Sequence, residues 1–339
     1  MSYDQNLSGK NIIWDGSPLQ EDTVDRALRP TRFEDFVGQG QSVKNLKIFI
    51  QAAQQRKEPL DHVLLFGPPG LGKTTLAHLI ALESQSALKT TSGPIMSKPG
   101  DLAAILTNLK EGDVLFIDEV HRLPIAVEEL LYSAMEDYKI DILIGEGPHA
   151  RSLQLALPPF TLVGATTRSG LLSSPLRDRF GIAVPLEFYE AKDLCKLLMA
   201  ASVKMNVDFT LDAARILSLR CRGTPRIALR LLRRIRDFAS IHKVCPITDT
   251  MACFALDEMG ITSQGLDSCD QRYLCLLAHH FQGGPTGLET LASALSETRD
   301  TVEDVIEPYL LQQGMIARTP RGRKLTEKGW QALEKNDGI

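Results

Sequence analysis

Three short apolar runs punctuate the first half of the chain: Val63–Phe66, Val114–Ile117 and Phe160–Thr167. Each is bounded by glycine or polar residues, as expected of a strand buried in a sheet. A further strand precedes the polar turn Lys89–Lys98. Between these runs the apolar spacing turns helical. It covers Gln41–Arg56 (apolar at 43, 46, 49, 50 and 53), Leu76–Leu82, Leu102–Leu109 and Glu128–Tyr138. Strands alternating with helices predict an α/β core built on a parallel sheet. Lys139–Leu157 breaks the alternation. Apolar residues recur at 140, 142 and 144 and again at 153, 155 and 157, with Gly145–Pro148 between them. That is a β-hairpin pattern. An α/β core does not need one there, so it is either a decoration or an inserted protein-contact element.

Past Pro185 the strand signals stop. Ala191–Val203, Leu211–Arg220, Pro225–Ile241 and Thr248–Met259 read as helices of a small second domain. A third block follows. Asp270–His280 is helical, Gly283–Gly287 is a turn, and Leu288–Leu295 and Val302–Gln313 are helices. The segment Gly314–Thr326 then reads as strand, basic turn and return strand. Helices followed by a two-stranded wing predict a winged helix. The expected division is a polar leader at 1–25, a large α/β domain at 26–188, a helical domain at 189–260 and a winged-helix domain at 261–339.

Composition narrows the function classes. The 339 residues carry a net charge of −4, so any nucleic-acid surface must be a local basic patch. One exists: Arg318, Arg321, Arg323, Lys324, Lys328 and Lys335 face only Glu327 and Glu334 over the last stretch. Winged helices also serve as protein contacts, so pattern alone leaves both uses open. No apolar run is long enough to span a bilayer, and the first residues lack the order of a signal peptide. The six cysteines form no C-x-x-C pair, which fits reduced thiols in a cytoplasmic protein rather than a disulfide framework or zinc site.

The candidate chemistry gathers at the ends of the apolar runs. Gly67–Thr75 reads GPPGLGKTT, between a strand and a helix. Glycines there let the backbone aim N–H groups at phosphate oxygens, and the helix N-terminus adds partial positive charge. Lys73 would reach the β- and γ-phosphates, and the Thr74 hydroxyl would ligate Mg²⁺. The second run ends in Asp118 and Glu119, placed to hold the metal shell and polarise a water. His121 and Arg122 just beyond them read as structural. The third run ends at Thr167, where a polar side chain can orient water or the γ-phosphate. Arg177 and Arg179 flank Asp178; either a neighbouring subunit's site or a simple ion pair would use them. Pro225 suits a helix first turn, with Arg226 beside it facing a nucleotide from a helical lid; Arg230, Arg233, Arg234 and Arg236 on that helix read as a solvated basic face. Ala27–Gln39 is either a linker clipped to the core or a segment lying over a bound base.

These residues together resemble the AAA+ ATPases. GPPGLGKTT, FIDEVHRL, GATTRSGLLSSPLRDRFGI and RGTPRIA carry the likeness. ALRPTRFEDFVGQ, the IGEGPHARS hairpin and the RTPRGR tail narrow it to the RuvB family, bacterial motors of Holliday-junction branch migration. The likeness runs from Ala27 to Trp330; the leader is longer than the family's minimum and the tail after Arg323 matches loosely. The resemblance implies that Leu28 and Arg29 bind the adenine side and that Gly70, Lys73, Thr74 and Thr75 hold the phosphates. It implies that Asp118 and Glu119 are the acids of hydrolysis, with Thr74 and Asp118 on Mg²⁺. Glu136, Asp137 and Tyr138 match a nucleotide-associated stretch, and Tyr189 an aromatic contact at the lid boundary. Thr167 matches the first sensor, Arg177 the arginine finger acting in trans, and Arg226 the second sensor. Arg299, Arg318 and Arg323 match DNA-contacting arginines. The hairpin Lys139–Leu157 matches the element that docks on RuvA. A homohexameric ring on duplex DNA, ATP as fuel and association with RuvC at the junction are implied as well. The rival expectation is an AAA+ loader or switch that opens a partner protein and uses its winged helix for docking.

Overall fold

A computed structural model describes residues 28–144 and 151–334. The leader, the hairpin turn at Gly145–Pro148 and the last five residues lie outside the described residues.

Five strands form one parallel sheet: β1 (Val63–Phe66), β2 (Leu88–Ser92), β3 (Val114–Asp118), β6 (Thr161–Thr166) and β7 (Ile182–Pro185), in the order β2-β3-β6-β1-β7. The registers bring Val63 opposite Val163 and Ile182, and Val114 opposite Leu88 and Thr161. Strand alternation sorts the apolar runs between two cores. Val63, Leu65, Val114, Phe116, Val163 and Ala165 enter one. Leu64, Leu115, Ile117 and Leu162 enter the other. The first is covered by α1 (Gly40–Arg56) and α2 (Lys73–Glu83), the second by α3 (Pro99–Leu106) and α4 (Ile125–Asp137).

Three expectations shift. β2 runs through the polar residues to Ser92 that the sequence pattern assigns to a turn, because edge position lets its side chains face solvent. β7 is absent from the sequence pattern; Ile182–Pro185 is an apolar run of only four residues closed by a proline, and its burial alternates along the strand. α3 starts three residues early, because Pro99 opens it and Asp101 accepts hydrogen bonds from the backbone N–H groups of Ser97 and Lys98. The hairpin is present as β4 (Lys139–Ile144) paired antiparallel with β5 (Arg151–Ala156), separate from the main sheet.

The second domain holds α6 (Ala191–Lys204), α7 (Leu211–Arg220), α8 (Pro225–His242) and α9 (Asp249–Glu258), after the short α5 (Ser174–Asp178) of the large domain. Its Leu194, Leu217 and Leu232 are continuous with the first core. The third domain has its own core around Tyr273, Leu291 and Leu310. It comprises α10 (Ser268–Cys275), α11 (Leu288–Leu295), α12 (Arg299–Thr301), which passes through a π turn at Val302–Ile306 into α13 (Glu307–Gln312), then a wing of β8 (Ile316–Thr319) and β9 (Gly322–Leu325), and α14 (Glu327–Glu334). A buried joint ties the second domain to the third. Arg222, 9% exposed, pairs with Asp267 and with Asp270, which is fully buried, and it lies over the Tyr309 ring.

Candidate nucleotide site

In a parallel sheet all carboxyl ends open on one edge. Because β6 lies between β1 and β3, the residues following these three strands become neighbours there. One pocket at that edge is lined by Gly70, Lys73, Thr74 and Thr75 after β1, Asp118 and Glu119 at the end of β3, and Thr167 after β6. Leu28 and Arg29 close one side, and Arg226 of the lid closes another. All of these are residues expected to bind or act on a nucleotide.

The loop geometry is specific. Gly70 has φ +78, and a Cβ there would stand 2.7 Å from Thr224 Cγ2 and 3.0 Å from Arg226 Cβ. Only glycine fits where lid and loop meet this closely. The Arg226 backbone N–H donates to the Gly70 carbonyl at 3.3 Å. Lys73 is buried, and its ammonium donates to the carbonyls of Gly67 (2.7 Å) and Pro68 (2.9 Å). Burial pushes its pKa down to about 8, against the opposing pull of Asp118 and Glu119.

Glu119 is a non-glycine residue held at φ 51, and its own N–H donates to Asp118 Oδ1 at 3.0 Å. Such a left-handed conformation is sparsely populated for a non-glycine residue. His121 lies behind them. Its Nε2 is 3.4 Å from Glu119 Oε2, and its Nδ1 is 2.8 Å from Thr166 Oγ1. Burial lowers the His121 pKa, with Glu119 opposing.

Three family profiles match in sequence along the chain. Residues 28–186 match the Holliday junction DNA helicase RuvB P-loop domain, 189–262 the RuvB AAA lid domain and 263–334 the RuvB C-terminal winged helix domain. The chain belongs to the RuvB family. The Thermotoga maritima RuvB Holliday junction branch migration motor is 50% identical, with a TM-score of 0.84 over 91% of this chain and 98% of that one. A lysine-to-arginine mutant of the Thermotoga maritima protein gives 50% identity and 0.85 over the same shares. An arginine-to-alanine mutant gives 50% and 0.84, again over the same shares. This RuvB-family chain is thus an AAA+ ATPase of the branch-migration motor class, with a nucleotide-binding P-loop domain for which this pocket is the candidate site. The lysine, threonine and arginine exchanged in the Thermotoga structures keep the mutual spacing of Lys73, Thr167 and Arg179 here.

Not every expected residue reaches the pocket within one RuvB-family chain. Tyr189 is buried behind the loop, its hydroxyl 3.4 Å from the Leu71 carbonyl. Burial holds its pKa well above the usual tyrosine value. Glu136 pairs at 2.8 Å with Arg179, which stacks over the Tyr132 ring. Asp137 is exposed beside it, and Tyr138 packs edge-on against Phe160. Arg177 is exposed on α5, outside the lining.

The pocket also has walls that sequence reasoning left undecided or missed. Pro30, Phe36 and Val37 line it, so the segment near Ala27–Gln39 is a wall rather than a mere linker. Leu197, Ala200, Ala201 and Lys204 form the facing helical stripe; their i, i+3, i+4, i+7 spacing was the available signal. Asp118 and Thr74 supply oxygen donors on the same wall. Mg²⁺ takes few protein oxygens and fills its shell with phosphates and water, so these two fit it.

The third, winged-helix domain, the head, presents Arg299 exposed, with Glu289 at 3.3 Å. Arg318, 44% exposed, and Arg323, 15% exposed, both donate to Glu307, which is fully buried. Arg323 therefore braces the wing while Arg318 keeps a solvent-facing side. Arg321, Lys324 and Lys328 are exposed around them.

Proposed function

We propose that this chain is the ATP-driven subunit that migrates Holliday junctions, working as a homohexamer around duplex DNA and with RuvA. The observation that carries it is the meeting of three strand ends and the lid arginine at one pocket, in a chain whose third domain bears a basic wing. Lys73 neutralises the phosphates once it leaves the Gly67 and Pro68 carbonyls. Thr74 and Asp118 hold Mg²⁺, which would supply charge neutralisation across the phosphates. Glu119 takes the proton of the attacking water, and Thr167 orients that water against the γ-phosphate. Leu28, Arg29 and the stripe on α6 enclose the base; Arg226 reports the phosphate state to the lid.

A pocket open on one side calls for a charge from outside. The segment Arg177–Arg179 supplies it to the next subunit. Arg179 is engaged by Glu136 and Arg177 is exposed, which leaves Arg177 the readier to reach across. The spacing shared with the Thermotoga mutants makes Arg179 an equal candidate. Glu136, Asp137, Tyr138 and Tyr189 act in the same arrangement, the first three from the subunit edge and Tyr189 by bracing the loop. The hairpin β4–β5 docks on RuvA, and RuvC joins at the junction. Arg299, Arg318 and Arg323 contact DNA backbone without reading sequence, as translocation requires. The setting is the cytoplasm; no helix among the described residues is long and apolar enough to cross a membrane.

The deciding experiment combines the chain with RuvA and a labelled four-way junction. ATP-dependent conversion of the junction into duplex arms is expected, and Glu119→Gln should bind nucleotide yet abolish both hydrolysis and conversion. Turnover that neither duplex nor four-way DNA stimulates would favour a loader that remodels a partner protein instead.

A further inference from the structure

Arg168, the residue after Thr167, joins the large domain to the head through a cluster of acids. Its Nε donates to Asp304 Oδ1 at 2.7 Å, and its Nη2 lies 2.6 Å from Asp304 Oδ2, 3.0 Å from Asp300 and 4.0 Å from Glu303. Asp304 and Asp300 hold its pKa above even the usual arginine range. Its backbone N–H faces the other way and donates to Thr166 Oγ1 at 3.0 Å.

That second hydrogen bond continues inward. A backbone N–H can only donate, so Thr166 Oγ1 accepts there, and its own hydrogen and second lone pair remain for the 2.8 Å contact with His121 Nδ1. The other ring nitrogen of His121, Nε2, stands 3.4 Å from Glu119 Oε2. A chain of polar contacts thus runs from the head-clamped Arg168 through Thr166 and His121 to Glu119 at the pocket.

We propose that Arg168 is a positioning residue for ATP hydrolysis: head docking fixes the Thr166–Arg168 turn, and through Thr166 and His121 it aims the Glu119 carboxylate. The two joints of the head differ in kind. The Arg222 joint to the lid is desolvated, so parting it would strand a buried carboxylate. The Arg168 joint faces solvent on its acidic side, with Asp300 57% and Asp304 31% exposed at the side chain. Head and lid therefore travel together, and the Arg168 joint is the one that makes and breaks. Each lid movement resets the aim of Glu119, which links DNA position in the head to the timing of hydrolysis.

This inference rests on Glu119 being the water-activating acid. The test uses the full chain, with and without duplex DNA, and a fluorescent ATP analogue for affinity. Asp300→Asn with Asp304→Asn alters only head side chains that do not line the nucleotide pocket. That variant and Arg168→Ala should each lower kcat on the order of ten-fold while KM and analogue affinity stay within about two-fold. Combining them should add nothing further, and Arg168→Lys should recover part of the loss. Wild-type kcat in the aspartate variant, additive losses, or a change confined to KM would overturn the proposal. Glu119→Gln run alongside separates the failures: if it still hydrolyses ATP, the reading of Glu119 has failed; if it is inactive while the aspartate variant is normal, only the Arg168 link has.

Discussion

Lys73 is the residue whose surroundings predict most. Without nucleotide its ammonium is buried and its pKa sits at about 8, below the ordinary lysine value because burial penalises the charge. Phosphates restore that value when they bind, so binding takes up a proton wherever free Lys73 is deprotonated. Affinity is therefore highest below pH 8 and falls as pH rises through it. Calorimetry at pH 8.5 in buffers of differing ionisation enthalpy should record net proton uptake that shrinks towards pH 7. Gly70 makes a second prediction. A methyl there meets Thr224 and Arg226 and requires φ +78 of an alanine. Gly70→Ala should cost about 1 kcal/mol or more in backbone strain alone and weaken nucleotide affinity at least ten-fold by prising the lid from the loop. An equilibrium titration of the analogue checks it. Lys73 and Gly70 are legible in sequence because a phosphate loop is a local motif. His121 reads as merely structural there, since Thr166, which joins it to the third strand end, meets it only across the sheet from β3 to β6.

Among the elements, the strands are readable from their apolar runs and the helices from their periodicity, with errors where packing overrides pattern. β7 cannot be recognised from Ile182–Pro185 alone, because a four-residue apolar run ending in proline gains meaning as a strand only from its pairing with β1. The joint between α7 and α10 is equally silent. Arg222 looks like any arginine near a helix end, yet it supplies the countercharge for Asp270, whose burial raises its pKa to about 7 despite Arg222 and a hydrogen bond to the Asp267 N–H. Arg222→Ala leaves that carboxyl unpaired in the interior. It should destabilise the lid–head unit by about 3–5 kcal/mol, seen as a lowered or split thermal transition, with the large domain's own transition least affected.

At the scale of the molecule, the proposed shared site turns on which arginine reaches a neighbouring subunit. Arg177→Ala and Arg179→Ala chains should each be mixed with Lys73→Ala chains. The partner whose mixture regains hydrolysis identifies the arginine that acts between subunits, and no recovery at any ratio for either would count against a shared site. For the DNA surface, Arg299→Ala, Arg318→Ala and Arg323→Ala combined should flatten the slope of log affinity against log salt by about 0.9 for each phosphate left without its arginine. Because Arg323 braces Glu307, its single variant should lower thermal stability more than Arg299→Ala does.

By itself the sequence determined what depends on neighbours along the chain. That covers a phosphate loop between strand and helix, acids at a strand end, a shift to all-helical pattern after Pro185, and a basic wing on an acidic chain. The likeness of those motifs to one family then told which chemistry they serve. Tertiary structure alone decided which residues meet. Parallel pairing in the order β2-β3-β6-β1-β7 set Glu119, Thr167 and Gly70 around one pocket, and packing of the head against the large domain brought Asp304 to Arg168. Residues separated by a hundred positions or more become neighbours through backbone hydrogen bonds and burial summed over the whole fold, and no local pattern encodes that sum.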